Sequence, residues 1–160
     1  MLPDDVPVLA AIFVAAIDEL AEDDYSDDQR EAWASAADDE AAFGKKLSGQ
    51  LTLVATLESS PVGFASLQGG DHIEMLYVHP SASRQGVATA LCDALERLAT
   101  ARGAQKLTVD ASDTAHELFK KRGYGDRQRT TLTIGDEWLT NTRMEKILAA
   151  SANDNPETRQ

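Results

Sequence analysis

Residues 78–88 read Val-His-Pro-Ser-Ala-Ser-Arg-Gln-Gly-Val-Ala. An apolar run ends at a proline, a short polar loop follows, and a helical pattern opens on a glycine. A second apolar run, over 106–110, comes after that helix. A strand, a helix and a strand in this order imply a right-handed parallel crossover, so the sheet must hold a parallel pair covered by a helix. The same junction has a chemical consequence. The first turn of a helix leaves N–H groups unpaired and pointing outward, and the helix dipole adds partial positive charge there. Gly86 and Ala88 carry little or no side chain, so a bulky anion can approach the backbone, and Arg84 adds a cation beside it. The segment suits a diphosphate. It is neither a Walker loop, lacking Gly-Lys-Ser/Thr, nor the dinucleotide pattern GxGxxG. Taken alone, a glycine opening a helix is more often only a cap, so the rest of the chain has to decide.

Leu9, Ile12, Phe13, Ala16, Ile17 and Leu20 recur at helical spacing and predict a helix over 6–22. Asp5 is placed to cap it and Pro7 suits its first turn. Ser26 and Gln29 have the form of a capping box and open a second helix over 27–36, with a third helical piece over 38–47. Strands are predicted over 50–57 and 62–68 around a turn at 58–61, and a third follows Gly69-Gly70-Asp71 over 72–78. The glycine-led helix spans 86–101 with Val87, Leu91, Leu95 and Leu98 on one stripe, and Arg102-Gly103 ends it. After the 106–110 strand comes a helix over 113–122, with Ala115, Leu118 and Phe119 inward and Gly123 as its stop. Strands over 127–134 and 138–147 flank a turn at Gly135-Asp136. Residues 149–160 are small and polar and are expected to be disordered. With no repeat and no linker, residues 1–148 read as one domain, with a helical part over 1–48 and a sheet part over 50–147. The order predicts an α+β fold: a mixed, mostly antiparallel sheet with helices on both faces.

Charge is unevenly placed. Residues 1–40 hold 13 acidic groups and one basic group, Arg30, and so account for the whole net charge of −12. Such a face repels nucleic acid and anionic lipid, which argues against both as partners. It would attract a cationic substrate, although a solvated helix surface is the simpler explanation. The single cysteine, Cys92, permits no intrachain disulfide and no cysteine-built zinc site, and no metal is expected. It reads as a small buried hydrophobe rather than a nucleophile. The apolar run over 6–17 is flanked by Asp4, Asp5, Asp18 and Glu19 with no Lys or Arg before it, unlike a signal peptide. It is also too short to span a bilayer. A cytoplasmic location is expected.

Residues 73–91, IEMLYVHPSASRQGVATAL, resemble the acetyl-CoA-binding core of the GNAT acetyltransferase superfamily, in which a strand end L-x-V-x-P precedes Q/R-x-x-G-x-G/A and a helix. Residues 107–124, LTVDASDTAHELFKKRGY, resemble its second block: a strand, N-x-x-A, and a helix ending L-Y/F-x-x-x-G-F/Y. The 50–68 meander and the strand carrying Arg143-Met144-Glu145-Lys146 sit where the family has equivalents. The resemblance implies a sheet splayed between the 72–78 and 106–110 strands, with acetyl-CoA in the gap and no metal. It implies that main-chain groups of Leu76, Tyr77 and Val78 pair with the pantetheine arm. It further implies that backbone N–H groups of Arg84, Gln85, Gly86, Val87 and Ala88 hold the diphosphate, and that Ser112 and Phe119 lie along the cofactor. The amine acceptor would enter from the other side, beneath the N-terminal helices. The chain departs from the pattern at four points. Ser83 takes the first Q/R position, Phe119 replaces a tyrosine that protonates the leaving thiolate, Ser112 replaces an asparagine, and no strand precedes the first helix.

Acyl transfer from a thioester to an amine needs a neutral amine, a polarised carbonyl and an acceptable leaving group. His72, Glu74, Leu76 and Val78 alternate onto one face of their strand, which sets His72 and Glu74 side by side near the implied thioester. Glu74 is the first candidate for the base and His72 the second, although such groups at a strand start serve as often as exposed edge residues. Backbone N–H near Val78 would polarise the carbonyl. Phe119 cannot donate a proton, so the acid is unassigned; a thiol pKa of about 8.5 makes the thiolate a tolerable leaving group. Tyr124, Tyr77 and Tyr25 are stand-ins, Tyr124 reading first as a core aromatic. His79 reads as a loop residue and His116 as a solvated one. Trp33, Tyr25 and Asp23, Asp24, Asp27 and Asp28 cluster where the acceptor should enter and suit a cationic amine, with docking of the second helix the simpler role for Trp33. The reading is an acetyl-CoA-dependent N-acyltransferase acting by direct attack on a small-molecule or peptide amine. The runner-up is a non-catalytic acyl-CoA-binding or interaction module on the same fold, which Phe119 favours. The acidic quarter disfavours a nucleic-acid-directed acetyltransferase, and a homodimer is left open.

Overall fold

The computed structural model describes residues 1–148; the tail expected to be disordered, 149–160, lies outside the described residues. Three helices come first, α1 (Val6–Leu20), α2 (Asp27–Ala34) and α3 (Glu40–Ser48), followed by the meander β1 (Leu51–Leu57), β2 (Ser60–Gln68) and β3 (His72–Val78). Helix α4 (Val87–Ala101) crosses to β4 (Lys106–Ser112), and α5 (His116–Lys121) leads into the hairpin β5 (Gly125–Ile134) and β6 (Glu137–Ile147). The sheet order is β1-β2-β3-β4-β6-β5. Only β3 and β4 run parallel; the other neighbours are antiparallel. This is the mixed α+β sandwich expected from the element order. No strand precedes α1 among the described residues.

Each face of the sheet receives one apolar layer. Val87, Leu91, Leu95 and Phe119 of α4 and α5 pack on Ala65, Leu67, Leu107 and Val109. Leu9, Ile12, Phe13, Phe43 and Leu47 of α1 and α3 pack on Phe64 and Met75 of the opposite face. Gly63 of β2 permits the close approach of α4: a Cβ there would meet Val87 Cγ1 at 3.0 Å and the Tyr77 carbonyl at 3.1 Å. The start of α4 is thereby pressed against β2 and β3.

Local chemistry sets the ends. The Ser26 hydroxyl accepts from Gln29 N–H at 3.1 Å while the Gln29 amide accepts from Ser26 N–H at 2.9 Å, the reciprocal capping box of α2. Asp5 does not cap α1. Its carboxylate accepts from Leu2 N–H at 2.8 Å, and Pro3–Asp5 already coil as a 3-10 turn that runs on into the helix. The first hairpin turns on Glu58 and Ser59 alone, both left-handed with φ of 51° and 72°, so Ser60 and Pro61 join β2 rather than the turn. Helix α5 is shorter than predicted, because Ser112 Oγ accepts from Ala115 N–H at 3.1 Å and holds the intervening residues as a turn. Gly123, at φ 96°, lets Tyr124 N–H reach back to the Phe119 carbonyl at 3.0 Å and end α5.

Two features of β3 shape the site. Its parallel pairing with β4 is confined to His72↔Thr108 and Ile73↔Val109, after which the strands part. Its register with β2 passes from Ser66↔Met75 to Leu67↔Ile73, leaving Glu74 as the extra residue of a β-bulge. The bulge breaks the alternation expected from the sequence. Leu76 and Val78 turn to the α4–α5 layer, whereas Met75 and Tyr77 face α1 and α3. His72 and Glu74 do remain neighbours, away from Leu76 and Val78. No described helix is long and apolar enough to cross a membrane.

Candidate active site

The start of α4 is an open, uncapped helix end. Gly86 occupies the cap position at φ 80°, no side chain caps the helix, and its first turn holds no acidic residue. A Cβ built on Gly86 would meet nothing within 4 Å, so the space beside its Cα is free at the end of a helix whose first amides lack a side-chain cap. Arg84 is also left-handed, at φ 64°, a conformation that costs a non-glycine residue about 1 kcal/mol or more. Loop and first turn, through Ser83, Arg84, Gly86, Val87 and Ala88, line a cavity of about 270 Å³ whose far wall is Leu76 and Val78 of β3. Gln85 is not part of that lining; its amide donates to the Ser81 carbonyl at 3.3 Å and braces the loop. An anion-bearing cofactor fits here on the cradle's own terms: amides, dipole, guanidinium and room.

The cavity continues into the parting between β3 and β4. A slot of about 90 Å³ is lined by Leu76, Tyr77, Val78, Ser112 and Ala115, with Leu20, Ala21 and Trp33 above it. It shares Leu20, Leu76, Val78 and Ala115 with the cradle. Beyond Ile73, β4 provides no ladder partner for β3, so the edge of Leu76–Val78 that faces β4 is open to an extended ligand. Phe119 lies outside both cavities. It is 2% exposed and packs edge-on against Tyr124, with ring centroids 5.1 Å apart.

A third chamber of about 110 Å³ adjoins the slot, sharing Trp33 and Ser112 with it as walls. Tyr25, Trp33, Leu132, Ile134 and Leu139 form its apolar walls, and Asp110 is its carboxylate. Tyr25 is fixed twice: its hydroxyl donates to the Thr140 carbonyl at 3.1 Å and accepts from Asp113 N–H at 2.8 Å. Asp24, next in the chain, accepts from the Thr114 hydroxyl at 2.9 Å. The α1–α2 loop is thus stapled over the β4–α5 loop, closing the slot. Trp33 both docks α2 and lines slot and chamber; its indole N–H donates to the Tyr77 hydroxyl at 3.2 Å. Asp27 and Asp28 lie instead in a separate, larger groove of about 690 Å³, with Asp18, Glu31, Asp136 and Glu137.

His72 and Glu74 sit beside these cavities in a row of polar groups. Lys46 of α3 donates to Glu74 at 2.9 Å, His72 Nε2 lies 4.0 Å from the other Glu74 oxygen, and Asp110 lies 3.8 Å from the same nitrogen. His72 Nδ1 is 2.7 Å from the Thr108 hydroxyl. Arg143, opposite Asp110 on β6, donates to both of its oxygens at 2.6 and 3.1 Å. Burial strongly raises the Tyr77 phenol, against the Trp33 hydrogen bond that lowers it, so Tyr77 stays protonated. Burial also pushes the Cys92 thiol up to about 11, consistent with an inert core residue. His79 caps the loop turn, accepting from Ser81 N–H at 3.1 Å, and His116 pairs with Asp126 at 2.8 Å, both away from these cavities.

Sequence reasoning missed Asp110, Lys46 and the walls given by Leu132, Ile134 and Leu139. For Asp110 a signal existed: Leu107, Val109 and Ala111 are the buried face of β4, so Asp110 and Ser112 had to share the other. Lys46 became visible only once the bulge and α3 were in place.

A family model described as an acetyltransferase (GNAT) domain matches residues 21–148. An uncharacterized N-acetyltransferase of Escherichia coli K12, YafP, is 36% identical over 142 residues, covering 89% of each chain. A crystal structure of a GCN5-related N-acetyltransferase from Rhodopseudomonas palustris is 64% identical, covers 92% of both chains and superposes with a TM-score of 0.91. The PaiA N-acetyltransferase of Thermoplasma acidophilum, solved in complex with coenzyme A, shares the fold at 16% identity, with a TM-score of 0.73 over 90% of this chain and 93% of that one. Fold, open helix start and family match agree: the chain belongs to the GNAT acetyltransferase family and is an N-acetyltransferase.

Proposed function

We propose that the protein transfers an acetyl group from acetyl-CoA to a small primary amine by direct attack within a ternary complex. The observation that carries this reading is a row of three cavities with shared walls. They lie at the uncapped start of α4, at the β3–β4 parting, and in a chamber holding one carboxylate. Acetyl-CoA supplies an activated thioester when bound. The amides of Arg84, Gly86, Val87 and Ala88 and the α4 dipole would hold its diphosphate, and the open edge of Leu76, Tyr77 and Val78 would take the extended arm. The complex of the Thermoplasma protein with coenzyme A supports a cofactor site on this fold.

The residues beside these cavities then divide the proton work. An amine arrives mostly protonated at neutral pH, so a base must accept a proton. The His72–Glu74 pair is that base, linked to the chamber through Asp110, with Lys46 fixing the Glu74 carboxylate. Phe119 has no proton to give. Tyr25 commits its proton to Thr140 and Tyr124 commits its own to Glu96, so Tyr77, which lines the slot, is the remaining phenol to donate a hydrogen bond to the departing thiolate, which leaves readily without full proton transfer. A cytoplasmic setting suits the buried free thiol.

The test is to incubate the protein with acetyl-CoA and a panel of primary amines and to follow thiol release, with calorimetry of CoA alongside. Release with at least one amine is expected. CoA binding without release for any amine would leave a binding module instead.

A further inference from the structure

We propose that Asp110 is the specificity-determining carboxylate of the acceptor chamber, and that the acceptor is a compact primary amine with an apolar or aromatic body and no carboxylate. The inference rests on the acetyl-transfer reading and narrows its substrate class.

Among the described residues, Asp110 is the only charged side chain lining the chamber. Three of the other polar side chains there already accept hydrogen bonds within the fold. The Tyr25 hydroxyl is held by Thr140 and Asp113, Ser112 Oγ by Ala115 N–H, and the Asn141 side-chain oxygen by the Thr130 hydroxyl. An entering carboxylate would find no cation among these lining groups, only Asp110. Arg143 stands outside the lining and donates one hydrogen bond to each Asp110 oxygen. A carboxylate offers about four acceptor positions, so two remain for an ammonium. An unpaired anion beside Asp110, whose side chain is 34% exposed, meets like-charge repulsion, whereas an ammonium there gains a partner. The groove adjoining the chamber at Ile134 carries Asp18, Asp28, Glu31 and Asp136 against one cation, Arg30, which leaves a net field of the same sign. It draws cations inward and holds anions off.

The walls set the body of the acceptor. Tyr25 and Trp33 meet at 71° with centroids 5.3 Å apart, and Leu132, Ile134 and Leu139 face them. At about 110 Å³ the chamber is well below the size of pockets that hold drug-sized ligands. The part of the acceptor that enters this space is therefore small.

Matched pairs isolate the carboxylate: phenethylamine against phenylalanine, and isoamylamine against leucine, each with acetyl-CoA. In the wild-type protein, kcat/KM from thiol release should favour each amine over its amino acid by about 100-fold or more, because the amino acid's extra charge goes unpaired. Asp110→Asn should lower kcat/KM for the amines by about tenfold and shrink the amine-to-amino-acid ratio. Its acetyl-CoA KM should stay within about twofold, since that ligand binds in the other two cavities. Should Asp110→Asn fold poorly, Leu132→Trp serves instead. It fills the chamber from an exposed position and should raise the KM for amines but not for acetyl-CoA. Amino acids used as well as amines, or a ratio untouched by Asp110→Asn, would overturn the proposal while leaving acetyl transfer intact. Conversely, calorimetric binding of phenethylamine that is lost in Asp110→Asn, with no thiol release from any pair, would uphold the chamber and sink the transfer reading.

Discussion

Gly86 bears two demands at once: a left-handed backbone and an empty space beside its Cα. Substitution can separate an added charge from both. Gly86→Ala adds the backbone cost, about 1 kcal/mol for a non-glycine at such a φ, and one uncharged methyl in that space. Gly86→Asp adds a negative charge where the diphosphate is held, and calorimetry should show the CoA Kd rising by about tenfold beyond that of the alanine variant. Equal affinities for the two variants would move the cradle elsewhere. Glu74→Gln tests the base. It should lower kcat by about 100-fold while leaving the acetyl-CoA KM near normal, because general-base terms act in the transition state. Tyr77→Phe keeps the edge-on ring contacts with Phe13 and Trp33 and removes one hydroxyl. A fall in kcat of about tenfold, at an unchanged acetyl-CoA KM, is expected, smaller than for Glu74 because a thiolate leaves readily. At this scale the sequence was legible where residue type alone decides: a glycine at a helix start, a phenylalanine without a proton. It was not legible for Glu74, whose direction is set by a bulge that no spacing rule announces.

Helices and strands were legible where their own periodicity or caps dictate them. The stripe of Val87, Leu91 and Leu95 became the buried face of α4, and Ser26 with Gln29 started α2 as their spacing requires. Boundaries moved where a long-range or turn-specific interaction took over, as at Ser112, Asp5 and the Glu58-Ser59 turn. A further element-scale device escaped the sequence. Glu96 of α4 accepts from Tyr124 at 2.9 Å, from Lys146 of β6 at 3.0 Å and from Arg122, which also donates to Asp93 at 2.7 Å. The cluster ties α4, the end of α5 and β6 together. Burial alone would raise the Glu96 carboxyl, but the hydrogen bonds from Arg122, Lys146 and Tyr124 outweigh it and hold the group below its ordinary value of 4.5. A carboxyl depressed on folding contributes stability that is fully present above its unfolded value and is lost as pH falls through the folded one. Thermal melts should therefore show Tm falling below about pH 4.5, with Glu96→Gln flattening that fall. At pH 7 the same variant should melt about 2–4 °C lower, the shift for roughly 1 kcal/mol in a chain of this size once solvent screening is allowed for.

For the molecule as a whole, the sequence announced a segregation of charge that the fold turns into an arrangement around the row of cavities. The first 40 residues carry the entire net charge of −12 and build α1 and α2, which cover the acceptor side. The cradle at α4 lies at the other end of that row and presents amides and Arg84. A cation approaching the chamber therefore meets the acidic face, and an anion at the cradle meets the helix dipole. Fields of this kind act over the Debye length, about 30 Å at 0.01 M salt and about 10 Å at 0.1 M, so they weaken as salt is added. The kcat/KM for a cationic amine should fall by several-fold between those two conditions, mostly through KM, as steering is screened. A neutral control separates this from a general salt effect on turnover. The slow background hydrolysis of acetyl-CoA, which uses water as acceptor, should change far less over the same range. If hydrolysis and amine transfer respond alike, the acidic quarter acts only as a solvated surface and contributes nothing to acceptor capture.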